Sequence, residues 1–362
     1  MKLTTEGCRQ RQQRLLAVLE EAGLEGAIIG RRAHVNYFTS FLHNRHHAAA
    51  AFIRADGHVT LVGDGVPEDV AADEIVPYEA GFFATMHSLQ FETVAEKLAA
   101  SVGKRSKVGA DLGGGIACIT ALGGADTTDL TRDIYHLRKC KLADEVDAIR
   151  AAIGLTETMY TTAKESIGPG ADEIEVFAEI RAAVTMQAGE DLEYLGNDFR
   201  ANDGGGLPRR RAMEAGELYI LDAGPVMHGY FADNCRTFAV DGSPTDEQMR
   251  AWGYLDALFS QLEAAVQPGV VAREVYDIAN DYLSQEGYDG LIHHLGHGLG
   301  MAPHETPELN PKYEATFEAG DVITMEPGLY SDDLKAGIRL EENYLVTEDG
   351  VEQLTSFPRG LV

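Results

Sequence analysis

Cysteine is scarce in this sequence. Its 362 residues include four, Cys8, Cys118, Cys140 and Cys235, widely scattered and with no C-x-x-C pair. That spacing excludes a zinc knuckle and a disulfide framework. Basic residues are also in short supply: 30 Lys and Arg face 58 Asp and Glu, a formal charge of −28. Phosphate contacts need clustered cations, so nucleic acid and anionic membrane surfaces are excluded as partners. No apolar run reaches the ~18 residues of a membrane span. The N-terminal MKLTTEGCRQRQQRLLAVLEEAG has no signal-peptide core, and the expectation is a cytoplasmic protein. What remains is an ordinary globular composition, 44% hydrophobic and 24% charged, in a length that suggests two domains.

Residues 7–23 read as an amphipathic helix with Leu15, Leu16, Val18 and Leu19 on its apolar side. LEGAIIG reads as a buried strand. VNYFTSF, AAAAFIRADGHVTLVGD and KVGADLG read as further strand-like pieces, with a helix at FETVAEKLAASVG. This alternation predicts a small α/β domain. The tract DLGGGIACITALGGAD matches no phosphate-binding fingerprint and is read as loop. Near residue 140 the texture changes. Ala143-Asp144-Glu145 opens a long helix with acids in its first turn, ADEIEVFAEIRAAVTMQ follows, and helices at 246–266 and 271–286 alternate with strand pairs. The expected domains are 1–139 and 140–362.

Acids at unusual places dominate the second domain. LYILDAG and GYFADNCRTFAV read as a hairpin turning through PVMH. The midpoint of Asp222 and Asp233, 227.5, lies in that turn, so the two acids face each other. Glu326 and Glu341, in ITMEPGLYSDDLKAGIRLEENYLVTEDG, have their midpoint at 333.5, inside SDDLKAG, and form a second facing pair. Between the hairpins lies HHLGHGLGMAPHE, with His293, His294, His297 and His304. Like charges face to face need a cation between them. Carboxylates with an imidazole suit divalent Mn, Co, Zn or Fe(II). Taken singly, Asp222 could cap a turn, Glu341 could be a solvated strand residue and His297 could bond backbone.

The ordered set Asp, Asp, Gly-His-Gly, Glu-Pro-Gly, Arg-Leu-Glu resembles the creatinase, prolidase and methionine aminopeptidase superfamily, the pita-bread metallopeptidases of family M24. The similarity spans about residues 140–355. The texture through VNYFTSF is similar to the creatinase-type N-domain and favours the Xaa-Pro branch. The resemblance implies an α/β (α+β) chain, a smaller N-domain followed by a pita-bread catalytic domain. It implies metal ligands Asp222, Asp233, His297, Glu326 and Glu341 for two divalent ions, manganese first, with Asp233 and Glu341 bridging and a bridging water or hydroxide as nucleophile. It implies Glu326 as proton carrier, His304 and His293 in the substrate pocket, and Arg339 either in an ion pair or on a substrate carboxylate. His294 is read as structural. The substrate implied is a short peptide cleaved before proline, and the assembly a homodimer.

One departure stands out. Xaa-Pro members usually carry a histidine in a Pro-His-like loop before the first metal strand, whereas LPRRR here places Arg209 after the proline. Arginine is a fixed cation and shuttles no proton. This keeps two alternatives open: a creatinase-like hydrolase or lyase acting on another small C–N bond, and a non-catalytic binding protein. It also raises the expectation that Arg209 or Arg210 selects acidic substrates. His43, His46 and His47 read as a surface cluster, or as a contribution to a partner's cleft in a dimer.

Overall fold

The computed structural model describes residues 2–83, 85–122, 126–285, 287–335 and 337–361. The chain divides into two compact units. One comprises residues 1–138 with 142–144, and the other 139–141 with 145–362.

The first unit contains α1 (Thr5–Ala22), β1 (Gly26–Ile29), α2 (Arg32–Thr39), β2 (Ala50–Arg54), β3 (Val59–Gly63), β4 (Glu74–Pro77), α3 (His87–Val102), β5 (Lys107–Ala110), α4 (Leu112–Ala121), β6 (Asp126–Asp129) and α5 (Thr131–Lys139). Thr4 caps α1 by accepting from Gly7 N at 3.0 Å, and Gly23 ends it in the left-handed region. The strands form one mixed sheet in the order β4-β3-β2-β1-β5-β6. Ile28, Phe52, Val62 and Val108 pack from it against Val94 and Leu98 of α3.

Two readings of this unit need correction. VNYFT is helical, not a strand: Val35, Asn36, Tyr37, Phe38 and Thr39 are all buried within α2. A short helix buried all round shows no amphipathic period, and its aromatic and β-branched content imitates a strand. The glycine-rich tract is helix α4 over Leu112–Ala121, with its residues 123–125 outside the described set. Cys118 and Leu122 join the core there, so packing outweighs glycine's low helix propensity. Asp111, just before α4, is turned to Gly30 N (2.9 Å), Arg31 N (3.0 Å) and His34 Nδ1 (2.8 Å). His43, His46 and His47 differ in exposure: His43 is buried, His47 is half-buried and His46 is exposed. His43 is buried with Nδ1 3.1 Å from Asn44 O, and His47 Nδ1 lies 3.2 Å from Asp64.

The second unit adds α6 (Ala143–Ile153), α7 (Thr156–Ser166), α8 (Glu173–Ala188), β7 (Gly196–Ala201), β8 (Leu218–Ala223), β9 (Val226–Met227), β10 (Tyr230–Phe231), β11 (Asn234–Ala239), α9 (Asp246–Ala265), α10 (Ala272–Leu283), β12 (Gly296–Gly298), β13 (Glu305–Leu309), β14 (Val322–Met325), β15 (Gly328–Leu329), β16 (Ile338–Arg339), β17 (Glu342–Thr347) and β18 (Gly350–Gln353). The long helix expected from residue 143 is two helices, broken at Gly154-Leu155, where Thr156 Oγ1 donates to Ile153 O at 2.7 Å. Helices α7 and α8 cover the three-stranded sheet β11-β8-β7 through Met159, Ile180, Phe199 and Leu221. Helices α9 and α10 cover the five-stranded sheet β13-β12-β14-β17-β18 through Leu255, Leu262, Val275, Ile323 and Tyr344. A capping box at Thr245 and Gln248 starts α9. Among the described residues no helix is long and apolar enough to cross a membrane.

Candidate metal centre

Strand register decides which acids meet. β8 and β11 pair with Asp222 across from Cys235, two residues from the expected partner, Asp233. The turn is at His228-Gly229, where φ is 52° and 82°, rather than centred in PVMH. Two consecutive positive φ values make the tight turn that suits twisted strands. A slip of two keeps side chains on their face, so Asp222 and Asp233 become diagonal neighbours instead of opposites. On the other sheet Met325 pairs with Glu342, and one further step in that register sets Glu326 across from Glu341.

His297 lies in β12 between two glycines that the backbone requires. A Cβ at Gly296 would stand 2.1 Å from Thr324 O, and one at Gly298 2.3 Å from Thr306 O. His297 is buried, and its Nδ1 lies 3.0 Å from the carbonyl of Gly298. That contact fixes the ring orientation and leaves Nε2 facing the acids of the cavity. Nε2 points to Glu326 Oε1 at 3.3 Å and Asp233 Oδ2 at 3.8 Å.

These side chains line a cavity of about 250 Å³ together with Tyr194, Asn197, Asp198, Asp222, His293, His294, His304, Arg339 and Glu341. Asp233, His297 and Glu341 bring ligand atoms within 4.8 Å of one another, and so do His294, His297 and His304. Glu341 is fully buried, and among the described residues neither of its carboxylate oxygens has a hydrogen-bond partner. Its backbone is pinned, with N donating to Cys235 O at 3.1 Å and O accepting from Arg236 Nη1 at 2.6 Å.

Burial pushes Asp233 and Glu341 well above the usual carboxylate range, and the neighbouring acids push them further. Burial raises Asp222 to about 6 although Arg339 opposes it. Glu326 behaves differently. Burial would raise it, but hydrogen bonds from His294 and His297 outweigh that and hold it well below its usual value. Burial lowers His304 to about 4, helped by His297. Four carboxylates and one imidazole, two of the acids strongly disfavoured as anions, fit divalent cations by donor type and charge.

The eight residues expected as metal ligands or catalytic groups all line this cavity. Arg339 is engaged in an ion pair. Its Nη2 lies 2.8 Å from Asp222 Oδ2 and bonds Asp198, and Nη1 lies 3.2 Å from Tyr330 OH. His293 Nε2 is 2.9 Å from the same Tyr330 OH. Sequence reasoning missed Asp198, Asn197, Tyr194 and Tyr330. It also set aside His294 as structural, yet His294 Nε2 sits 2.9 Å from Glu326 Oε1. Nothing in GNDFRAND signals a strand acid, although its pairing with β8 puts Asp198 across from Asp222. Neither Arg209 nor Arg210 lines the cavity. Arg209 is held by Glu173 and Asp203, at 2.7 and 3.0 Å.

Residues 147–348 match the model of metallopeptidase family M24, and residues 11–140 that of the creatinase/prolidase N-terminal domain. A Xaa-Pro dipeptidase of Pyrococcus furiosus is 33% identical over 234 residues, 63% of this chain and 66% of the relative, just under two thirds of its length. An uncharacterized peptidase of Staphylococcus aureus is 28% identical over 96% of this chain and 99% of its own. The structure of a Xaa-Pro dipeptidase from Bacillus anthracis superposes with a TM-score of 0.83 at 24% identity, over 98% of this chain and 99% of that one. The prolidase from Pyrococcus furiosus superposes at 0.77, with 24% identity, over 95% and 100%. At that identity the superpositions speak for the fold, an α/β creatinase-type N-terminal domain followed by a pita-bread domain. With more than half of its length matched by one family model, and that match enclosing the whole acid-lined cavity, this chain belongs to metallopeptidase family M24.

Proposed function

We propose that the chain is a dinuclear metal-dependent peptidase that cleaves short peptides before proline. The observation that carries this reading is Glu341, a fully buried carboxylate with neither oxygen partnered among the described residues, whose ligand atom converges with those of Asp233 and His297. An unpaired buried anion is too costly to keep without a cation. In this reading Asp222, Asp233, His297, Glu326 and Glu341 hold two divalent ions, manganese first, with cobalt, zinc and iron as alternatives. Asp233 and Glu341 would contribute to holding both ions. When bound, the ions supply Lewis acidity and make a nucleophilic oxygen available at neutral pH.

The chain's own residues do the rest. Glu326 carries a proton toward the leaving nitrogen, which must be protonated before a proline can depart. His294 orients Glu326 through its 2.9 Å contact. His304 hydrogen-bonds the substrate near the scissile bond, while His293, backed by Tyr330, shapes the pocket beside it. The assembly proposed is a cytoplasmic homodimer. Light scattering of the purified protein tests its mass.

The test of activity is hydrolysis of Ala-Pro and Ala-Pro-Ala by metal-stripped protein reloaded with Mn(II), with Asp233→Asn as control. Metal-dependent turnover that disappears in the variant supports a Xaa-Pro peptidase, and the preferred length assigns its branch. A protein that binds metal and cleaves neither peptide overturns the proline specificity. A second reading, hydrolysis or lysis of another small C–N bond, is favoured by one observation. Arg209, which stands where the family pattern has a histidine, is turned to Glu173 and does not line the cavity.

A further inference from the structure

Asp198 has no part in the reading above, yet it lines the same cavity and is held on both of its carboxylate oxygens. A bulge in β7, between Gly196 and Asp198, makes it face Asp222 of β8 directly. Bulges re-aim side chains, and this one brings two carboxylates opposite each other, an arrangement that is unfavourable by itself. One guanidinium resolves it. Arg339 Nη2 bonds Asp198 Oδ2 and lies 2.8 Å from Asp222 Oδ2. Arg339 is only 7% exposed, so this division takes place with little help from solvent. The second oxygen of Asp198 accepts from Gly206 N at 2.6 Å. Gly205 leaves the room: a Cβ there would stand 2.6 Å from Asp198 Oδ2.

We propose that Asp198 is a positioning residue for the metal centre: by sharing Arg339 with Asp222, it leaves Asp222 with the charge needed to hold a divalent cation. This rests on the reading of Asp222 as a ligand. Were Asp198 neutral, Arg339 would pair with Asp222 alone, and a guanidinium committed to a ligand carboxylate competes with the ion for the same lone pairs. Asp198 also explains why Arg339 can lie beside the acids without cancelling their affinity. It adds a fifth negative charge to the cavity, which offsets the arginine and leaves four carboxylates for two divalent ions.

The test is calorimetric titration of the metal-stripped full chain with Mn(II), with no substrate present. Asp198→Asn retains an oxygen for Gly206 N and removes the charge. The expected result is a Kd about ten-fold weaker than wild type, the lower end of what hydrogen-bonding partners of metal ligands contribute. In an Arg339→Gln background the same substitution should change Kd by less than about two-fold, because the residue it acts through is gone. An unchanged Kd for Asp198→Asn overturns the inference. So does an undiminished ten-fold loss in the Arg339→Gln background, which would mean that charge alone is responsible. If Asp198→Asn does not fold, Asp198→Ser carries the same cycle with the same outcomes. Wild-type protein that binds no Mn(II) would instead overturn the functional reading, so the two failures are distinguishable.

Discussion

Arg209 Nη2 lies 2.7 Å from Glu173 Oε1, and Arg209 Nε lies 3.0 Å from Glu173 Oε2. This is a two-pronged ion pair to a carboxylate with no exposed surface, and Glu173 also accepts from Ala201 N at 3.1 Å. The arginine is thus a clasp on β7. Arg209→Ala should destabilise the protein by about 2–3 kcal/mol, because a buried carboxylate loses the nearer of its two arginines, with Arg211 3.9 Å away. Denaturant unfolding measures it. Turnover of acidic and neutral substrates should fall together. A selective loss on acidic ones would restore the idea that this arginine reads substrate charge.

Glu341 sets function against stability. Glu341→Gln should remove metal from the centre and abolish turnover. The metal-free variant, however, should be about 1–2 kcal/mol more stable than the metal-free wild type at pH 8, since Gln removes an ionisable group that burial and the neighbouring acids disfavour. Elemental analysis and thermal melts of the stripped proteins check both halves. A variant less stable than wild type without metal would mean that Glu341 is compensated by a group in the chain.

Metal should stabilise the fold. At a free Mn(II) concentration a hundred times its Kd, the gain should be about 2.7 kcal/mol, because the ion binds the folded cavity and not the unfolded chain. A melt series against Mn(II) measures it, and magnesium, which dehydrates reluctantly, should give a smaller shift. Equal shifts from any divalent salt would mean surface binding.

Asp144 supplies a pH signature in the N-terminal unit. Burial would raise its pKa, but the bonds from Arg11 at 2.8 and 3.1 Å and from Thr4 N at 2.9 Å outweigh it and hold it below its usual value. A depressed carboxylate contributes stability above its unfolded pKa of about 3.9, and that contribution is lost as pH falls through the folded value. Asp144→Asn should therefore cost about 3 kcal/mol at pH 7, leaving the fully buried Arg11 without its anion. The gap to wild type should close below about pH 4. A gap that stays constant across the pH range would exclude ionisation as its cause.

The acids proposed as metal ligands were legible because spacing about a turn survives folding: the register that pairs Met325 with Glu342 has the midpoint expected for Glu326 and Glu341. Asp222 and Asp233 were legible only as a pair, since the turn at His228-Gly229 is tighter than PVMH suggests. Asp198 was not legible at all. Its strand is aligned by a bulge and its partner Arg339 lies 141 residues away, and neither leaves a local pattern. His294 was read as structural, and its contact with Glu326 was not foreseen, because the direction in which a ring points leaves no mark in sequence. In the first unit α2 was taken for a strand, since a helix buried on every side offers no periodicity to read.

The two-residue offset between Asp233 and the residue that faces Asp222 has an evolutionary consequence. Strand faces alternate with period two, so the hairpin between β8 and β11 can gain or lose residues in pairs and still present both acids to the same cavity. A single inserted residue in the 224–232 segment would turn one acid outward and disassemble the centre. Length changes here are therefore filtered by parity rather than by size, and the even-numbered ones are the raw material from which new cavity shapes on this scaffold can be drawn.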